Sequence, residues 1–300
     1  MPIGTYLSLV LTMFFWGGTF IAGRALAGSS VTPVTAAFFR FAIATLALAV
    51  LARMIDGRLA LPPRKVWLSL LLLGLTGVFS YNVLFFTGLH HIEAGRASLI
   101  IALNPLAITI FACLFLKEPL TLRQLAGVFL SLTGAMFVIS NGHPSAIFSG
   151  GFGRGELAIL GCVASWAAYS LIGRTVLRML SPLASVFYSS LIGTLLLFIP
   201  ALLEGTFPQS PSFSAVNWLS LLFLGLFGTA IGFSLYYKAI QKIGPTRSGV
   251  FINLVPLFSI LLSWAILGEA IKPAVLSGGL LVLTGVAITN APKKPKHGKL

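Results

Sequence analysis

The chain has 300 residues, of which 57% are hydrophobic and 9% charged, against about 25% charged residues in a soluble globular domain. A chain this apolar cannot hydrate its surface, so its solvent is lipid and a soluble fold is excluded. The formal net charge of +14 does not indicate nucleic acid, because the basic residues sit between apolar runs and not along one helix face.

A spanning helix needs about 20 mostly apolar residues. Runs that meet this requirement lie at 5–27, 34–54, 66–87, 95–116, 121–140, 156–176, 183–203, 217–239, 247–267 and 273–290. They predict an all-α polytopic membrane protein with ten transmembrane helices. In the first run, Ala25-Leu26-Ala27-Gly28 resembles a leader cleavage site, but no Lys or Arg precedes it and the element recurs at 166–174, so the run is expected to be retained. This run also carries Trp16 in mid-span and the pair Gly17-Gly18, which permits close helix approach and suits a hinge or sliding surface. The second run carries Arg40 about two turns in, and Arg24 closes the first; either can pair with a substrate carboxylate, although snorkelling to the headgroups is the preferred reading.

The third run places Tyr81 beside Asn82 in mid-span, the fourth contains Asn104-Pro105, and the ninth pairs Asn253 with Pro256. Buried polar side chains in lipid are costly, and they serve function or bind helices together. A proline removes a backbone donor and frees a carbonyl one turn back, so Pro105 and Pro256 are candidate hinges and the neighbouring asparagines candidate ligands for an ammonium. The sixth run holds Trp166 and Tyr169, one turn apart on one helix face; with Tyr81 they suggest an aromatic wall. Trp67, Trp218 and Trp264 lie near span ends and read as interfacial anchors. The run 149–156 resembles a phosphate loop but lacks the Lys-Ser/Thr ending, so it reads as part of a linker.

The chain repeats itself. A shift of 151 lays Gly74, Gly77, Arg96, Pro105, Glu118, Gly127 and Gly134 on Gly225, Gly228, Arg247, Pro256, Glu269, Gly278 and Gly285. A shift of 150 lays Trp16 and Arg24 on Trp166 and Arg174. The expected organisation is a first repeat at 1–140, a Gly-rich linker at 141–155, a second repeat at 156–290 and a basic tail at 291–300. Five helices per copy is an odd number, so the second copy enters the membrane from the other side and the repeats are inverted, which points to a transporter. Lys and Arg concentrate in the 2–3, 4–5, 6–7 and 8–9 connections and in the tail, which places the N- and C-termini in the cytoplasm.

The Asn104-Pro105 break, Leu-Lys-Glu118-Pro-Leu after the fourth run and Leu-Gly-Glu269 after the ninth, set in two five-helix repeats, resemble the EamA branch of the drug/metabolite transporter superfamily. Within it, the stretch Phe15-Trp16-Gly17-Gly18-Thr19-Phe20 is similar to YddG-type aromatic amino acid exporters. The resemblance implies a transporter in the inner (plasma) membrane that exports small metabolites by alternating access. Its cavity would be lined mainly by helices 1, 3, 4, 6, 8 and 9. Aromatic and other neutral apolar amino acids are the expected substrates, with no cofactor, no metal and no nucleic acid. The chain would work as a monomer or weak dimer, with the lipid bilayer as its other partner. Proton coupling and facilitated transport stay open.

All six acids, Asp56, Glu93, Glu118, Glu156, Glu204 and Glu269, fall in loops or at helix ends. A proton-coupled exporter of cationic drugs needs a mid-membrane carboxylate, so this pattern argues against one. No His-Glu-x-x-His or Gly-x-Ser-x-Gly stretch occurs, Cys113 and Cys162 sit inside apolar runs, and His90 and His91 follow the third span, so no enzyme is expected. A passive channel is the alternative of a different class, but no ring of like charges supports it. The copies differ where Asn104 corresponds to Val255, Tyr169 to Thr19 and Asn82 to Phe233, and these mismatches are where a substrate is sought.

Overall fold

The computed structural model describes residues 3–27, 29–57, 61–89, 91, 100–140, 143, 153–205, 210, 212–268 and 273–291. The regular elements among them are all helical. In chain order they are α1 (Ile3–Ala27), α2 (Pro33–Ile55), α3 (64–89), α4 (Asn104–Leu116), α5 (Leu122–Ile139), α6 (Arg154–Val176), α7 (Pro182–Leu203), α8 (Ala215–Ile243), α9 (245–267) and α10 (Pro273–Asn290). Eight are long and apolar enough to cross a membrane; α4 and α5 are shorter apolar helices. The side-chain distribution is that of a protein in lipid: Leu122 and Leu203 are each 83% exposed, while Ser131, Ser170, Ser185, Ser189 and Ser190 are fully buried.

Equivalent helices run antiparallel against each other, and the same contacts occur twice. On α2 and α7, Glu204 at the end of α7 accepts hydrogen bonds from Thr32 Oγ1 and Thr35 N (2.9 Å) at the start of α2. At the other end, Asp56 accepts one from Ser181 Oγ, the N-cap of α7. Each carboxylate therefore meets orphan donors or a cap hydroxyl at its partner's N-terminus, where negative charge is favoured. Between these ends Thr45 Oγ1 and Thr194 Oγ1 meet at 3.4 Å. On α5 and α10 the glycines do the same work. A Cβ on Gly127 would lie 2.7 Å from the Gly285 carbonyl oxygen, and one on Gly134 would lie 2.6 Å from that of Gly278. These two backbones touch because neither helix has a side chain there.

The helix breaks are duplicated as well. α3 contains a π-helical stretch, Gly74–Ser80, and α8 contains Leu224–Ile231 at the equivalent place. Ile192 of α7 packs on Gly74, and Ile43 of α2 packs on Gly225. α4 begins with Asn104-Pro105, and the last segment of α9, Val255–Leu267, begins at Val255-Pro256 after a 3-10 stretch, Val250–Leu254. Proline ends the preceding turn and starts a new helix, so both prolines sit where the sequence places a break. α4 and α9 then end in the left-handed region at the equivalent residues Lys117 (φ 53°) and Gly268 (φ 70°).

The described acids hold helix ends, as expected from the sequence. Asp56 and Glu204 follow α2 and α7, Glu156 accepts from the Gly153 amide (2.8 Å) ahead of α6, and Glu118 accepts from Thr246 Oγ1 (3.1 Å) at the start of α9. Arg174, read from sequence as an orientation signal, also donates to the Ile240 (2.8 Å) and Gln241 (2.6 Å) carbonyls at the end of α8. Glu93, Arg96 and Glu269, the linker stretch 144–152 and the tail from 292 lie outside the described residues.

Candidate functional site

Aromatic residues from α1, α3, α6 and α8 converge on one cluster. Trp16 and Trp166 meet edge to face with ring centroids 5.3 Å apart. Tyr81 packs on Trp166 at 5.6 Å, Tyr169 on Trp166 at 5.3 Å, and Phe233 contacts both tryptophans, at 5.8 and 5.3 Å. Tyr236 lies 5.3 Å from Trp16, and Tyr237 lies 4.9 Å from Tyr169. The sequence analysis named Trp16, Tyr81, Trp166 and Tyr169, met Phe233 only as the counterpart of Asn82, and missed Tyr236 and Tyr237. The signal for the last two was the tyrosine pair ahead of Lys238 near the end of the eighth run.

The cluster is closely packed in this structure. The expectation of an aromatic wall around open space gives way, for Tyr169, to complete burial. Its ring occupies the space above Gly77, where a Cβ would lie 2.1 Å away. Its carbonyl accepts from the Tyr237 hydroxyl at 3.0 Å, and its own hydroxyl meets Ser189 Oγ at 3.4 Å.

The two tryptophans are equivalent in sequence but not in bonding. Trp16 Nε1 donates to the Gly228 carbonyl (2.9 Å) in the π stretch of α8, with its indole against Gly232. The corresponding glycine for Trp166 is Gly77, whose face Tyr169 covers. Gly232 is replaced by Tyr81 in the first copy. Trp166 Nε1 is buried and makes no hydrogen bond of normal geometry, although the Tyr236 hydroxyl lies near enough to interact with it. Asn104 Oδ1 is likewise buried with no partner. Leaving such a group unpaired in the protein interior costs about 1–3 kcal/mol.

The other asparagines are engaged by the protein itself. Asn82 Nδ2 donates to Val78 O at 2.5 Å, inside the π stretch of its own helix. The Asn253 side-chain amide bonds Ser131 Oγ of α5 at 2.9 Å. With the amide turned over, it also accepts from Leu132 N (3.3 Å) and donates to Ala102 O (3.2 Å), which satisfies every group. Helix binding is the role these contacts support for Asn253. Gly17 lets α1 approach the α9 backbone, with a Cβ there 2.8 Å from Ser259 N, and Gly18 faces the Phe223 ring.

Arg40 departs from the preferred sequence reading. It does not snorkel outward: Nε donates to Thr229 Oγ1 of α8 at 2.8 Å. Thr229 in turn donates to Leu224 O (2.9 Å), a five-residue bond made possible by the π geometry. The guanidinium lies 5.3 Å from the Phe41 ring, its Nη2 flanks Gly228, and Tyr81 is near enough to act on it electrostatically. Helix rotation decided this direction, and spacing in one helix does not reveal it. The side chain of Arg24 lies outside the described residues.

Two membrane-spanning copies thus meet around duplicated breaks and a shared aromatic centre. Residues 3–140 match the EamA-like transporter family, and residues 153–291 match it again. The chain belongs to this family. It is a multi-pass membrane transporter built on the EamA-like two-repeat fold, and it is not an enzyme. It is 30% identical to "Uncharacterized transporter YyaM" of Bacillus subtilis (strain 168), over 95% of this chain and 92% of that one. It is 31% identical to a "Probable terminal-alkyne amino-acid exporter" of Streptantibioticus cattleyicolor, over 94% and 92%. A solved crystal structure shares the fold, with a TM-score of 0.76 at 23% identity, covering 96% of this chain and 97% of that one.

Proposed function

We propose that this transporter exports small metabolites, foremost aromatic and other neutral apolar amino acids, by alternating access across the inner (plasma) membrane. The observation that carries this reading is the aromatic cluster of Trp16, Tyr81, Trp166 and Tyr169, with Trp166 Nε1 buried and unpaired inside it. An apolar side chain would exchange ring contacts with the cluster, and a polar head would take up the orphan donor. Asn104 Oδ1 is the proposed acceptor for an ammonium, while Asn82 and Asn253 would join only by giving up the contacts they make here. The similarity to an amino-acid exporter supports the same substrate class.

In this reading α4 and α5 span the membrane with the other eight helices, as ten helices in two inverted repeats. The repeats cover 1–140 and 156–290, both termini are cytoplasmic, and a monomer suffices. Pro105, Pro256, Gly17 and Gly18 stand at the breaks and close contacts where one repeat would rock against the other. The test is uptake of labelled phenylalanine and tryptophan into proteoliposomes, with and without an imposed pH gradient. Saturable uptake that Trp166→Ala and Asn104→Ala weaken about tenfold is expected. Uptake equal to that of empty vesicles overturns the proposal, and single-channel currents would replace it with a pore.

A further inference from the structure

The charge balance of the centre is one-sided. Arg40 sits about 10 Å into α2 from its N-terminus, and the described acids all hold helix ends. No described carboxylate pairs with the guanidinium, whose hydrogen bonding among the described residues is the single Nε donation to a neutral hydroxyl. The Nη groups, four further N–H donors, have no acceptor among the described residues. A charge held inward at this depth without a counter-ion is expensive in a membrane and marks a ligand position. Arginine rather than lysine also fixes the chemistry, because its planar fork matches a carboxylate in bidentate fashion.

The surroundings set what the carboxylate is attached to. Nη2 lies beside Gly228, whose carbonyl holds Trp16, and Trp16 packs on Trp166. Phe41, under the guanidinium, packs on Phe233 at 6.2 Å, and Phe233 lies against Trp166 and Tyr169. The free donors therefore border the aromatic cluster. The π stretch of α8 makes this arrangement possible: it presents Thr229 to Nε and the Gly228 carbonyl to Trp16 from one turn.

We infer that Arg40 is the anion-binding group of the central site, that the site takes organic monocarboxylates with an apolar, preferably aromatic, tail, and that an α-ammonium on the ligand is dispensable. This rests on the aromatic cluster being the binding site and deepens that reading. The carboxylate pairs with the Arg40 fork while the tail lies on Trp16, Trp166 and Phe233. Acids without an amino group belong to the substrate range, whereas amides and amines of the same shape do not.

The test uses the full-length protein in detergent and in proteoliposomes. Quenching of tryptophan fluorescence is titrated with 3-phenylpropionate, 3-phenylpropanamide and 2-phenylethylamine. The acid is expected to bind about tenfold or more tighter than the other two. Arg40→Gln is expected to abolish that preference while Arg40→Lys retains part of it. Equal binding of acid and amide by the unaltered protein overturns the inference, and this outcome does not depend on whether any variant folds. Phenylalanine and phenylalaninamide entering proteoliposomes equally well overturns it too, while leaving amino-acid transport standing. Arg40-dependent binding of 3-phenylpropionate without phenylalanine uptake upholds it and removes the amino-acid reading. Failure of all three probes to bind overturns it together with the aromatic site.

Discussion

Trp16 and Trp166, equivalent in the repeat, pack edge to face 5.3 Å apart, yet only the Trp16 indole N–H makes a hydrogen bond of normal geometry. The difference arises at two positions where the copies diverge. The Thr19 methyl covers the face of Gly228 and leaves its carbonyl to Trp16, whereas the larger Tyr169 ring fills the equivalent space over Gly77, and Tyr81 stands where the second copy has Gly232. The duplication builds a symmetric frame, and a few larger side chains then make its two halves chemically unlike.

The tryptophans should therefore respond differently to the same substitution. Trp16→Phe removes the indole donation to the Gly228 carbonyl and is expected to destabilise the protein by about 0.5–1.5 kcal/mol. Trp166→Phe removes a donor that has no partner, so its stability should change by less than about 1 kcal/mol while substrate affinity falls. Unfolding titrations in mixed micelles together with phenylalanine uptake separate the two effects. Equal destabilisation by both changes would remove the claimed asymmetry.

The asparagines provide a second contrast. Asn253 ties α9 to α5 through Ser131, and membrane hydrogen bonds of this kind contribute about 0.6–1.7 kcal/mol. Asn253→Ala should lower stability by that amount, and pairing it with Ser131→Ala should add little. Asn104→Ala discards an unpaired acceptor. It should leave stability within about 1 kcal/mol of the original while reducing transport. Loss of transport with Asn253→Ala at full stability would instead return Asn253 to the substrate site.

How much of this was legible beforehand follows from the physics of each feature. The repeat and the Pro105 and Pro256 breaks could be read because Pro and Gly act through their own backbone, so position alone reveals them. The bonding of Asn253 to Ser131, and the caps that Glu204 and Asp56 supply to a neighbouring helix, join residues more than a hundred positions apart. Nothing local announces such pairs. The inward course of Arg40 depends on the rotation of α2, and the low amphipathicity of a membrane helix hides that rotation. The π stretches were half visible: Gly74, Gly77, Gly225 and Gly228 marked the place but not the geometry.

The α5–α10 contact should be the least tolerant of added volume. A Cβ on Gly285 would lie 2.4 Å from Ser131 N and 2.5 Å from the Gly127 carbonyl oxygen, both backbone atoms. No rotamer change relieves that overlap, so Gly285→Ala must part the helices. A loss of about 1–3 kcal/mol is expected in unfolding titrations. Gly4→Ala, where no atom lies within 4 Å of the added methyl, serves as the control and should be neutral. A tolerated Gly285→Ala would show that the helices do not meet at this residue.

The ends of α4 and α9 allow a test of backbone conformation alone. Lys117 and Gly268 are equivalent, and both are left-handed, at φ 53° and 70°. A lysine pays a Cβ penalty there that glycine does not, although glycine also loses more freedom on folding. At a left-handed cap the first effect dominates. Lys117→Gly is therefore expected to stabilise the protein by about 0.5–1 kcal/mol, and Gly268→Lys to destabilise it by a similar amount. The space around Gly268 is open within 4 Å, so steric crowding from the first carbon of the new side chain does not enter. Opposite shifts of the two unfolding midpoints are the expected result. Shifts of the same sign would mean that the side chain of Lys117, and not its φ, determines how α4 ends.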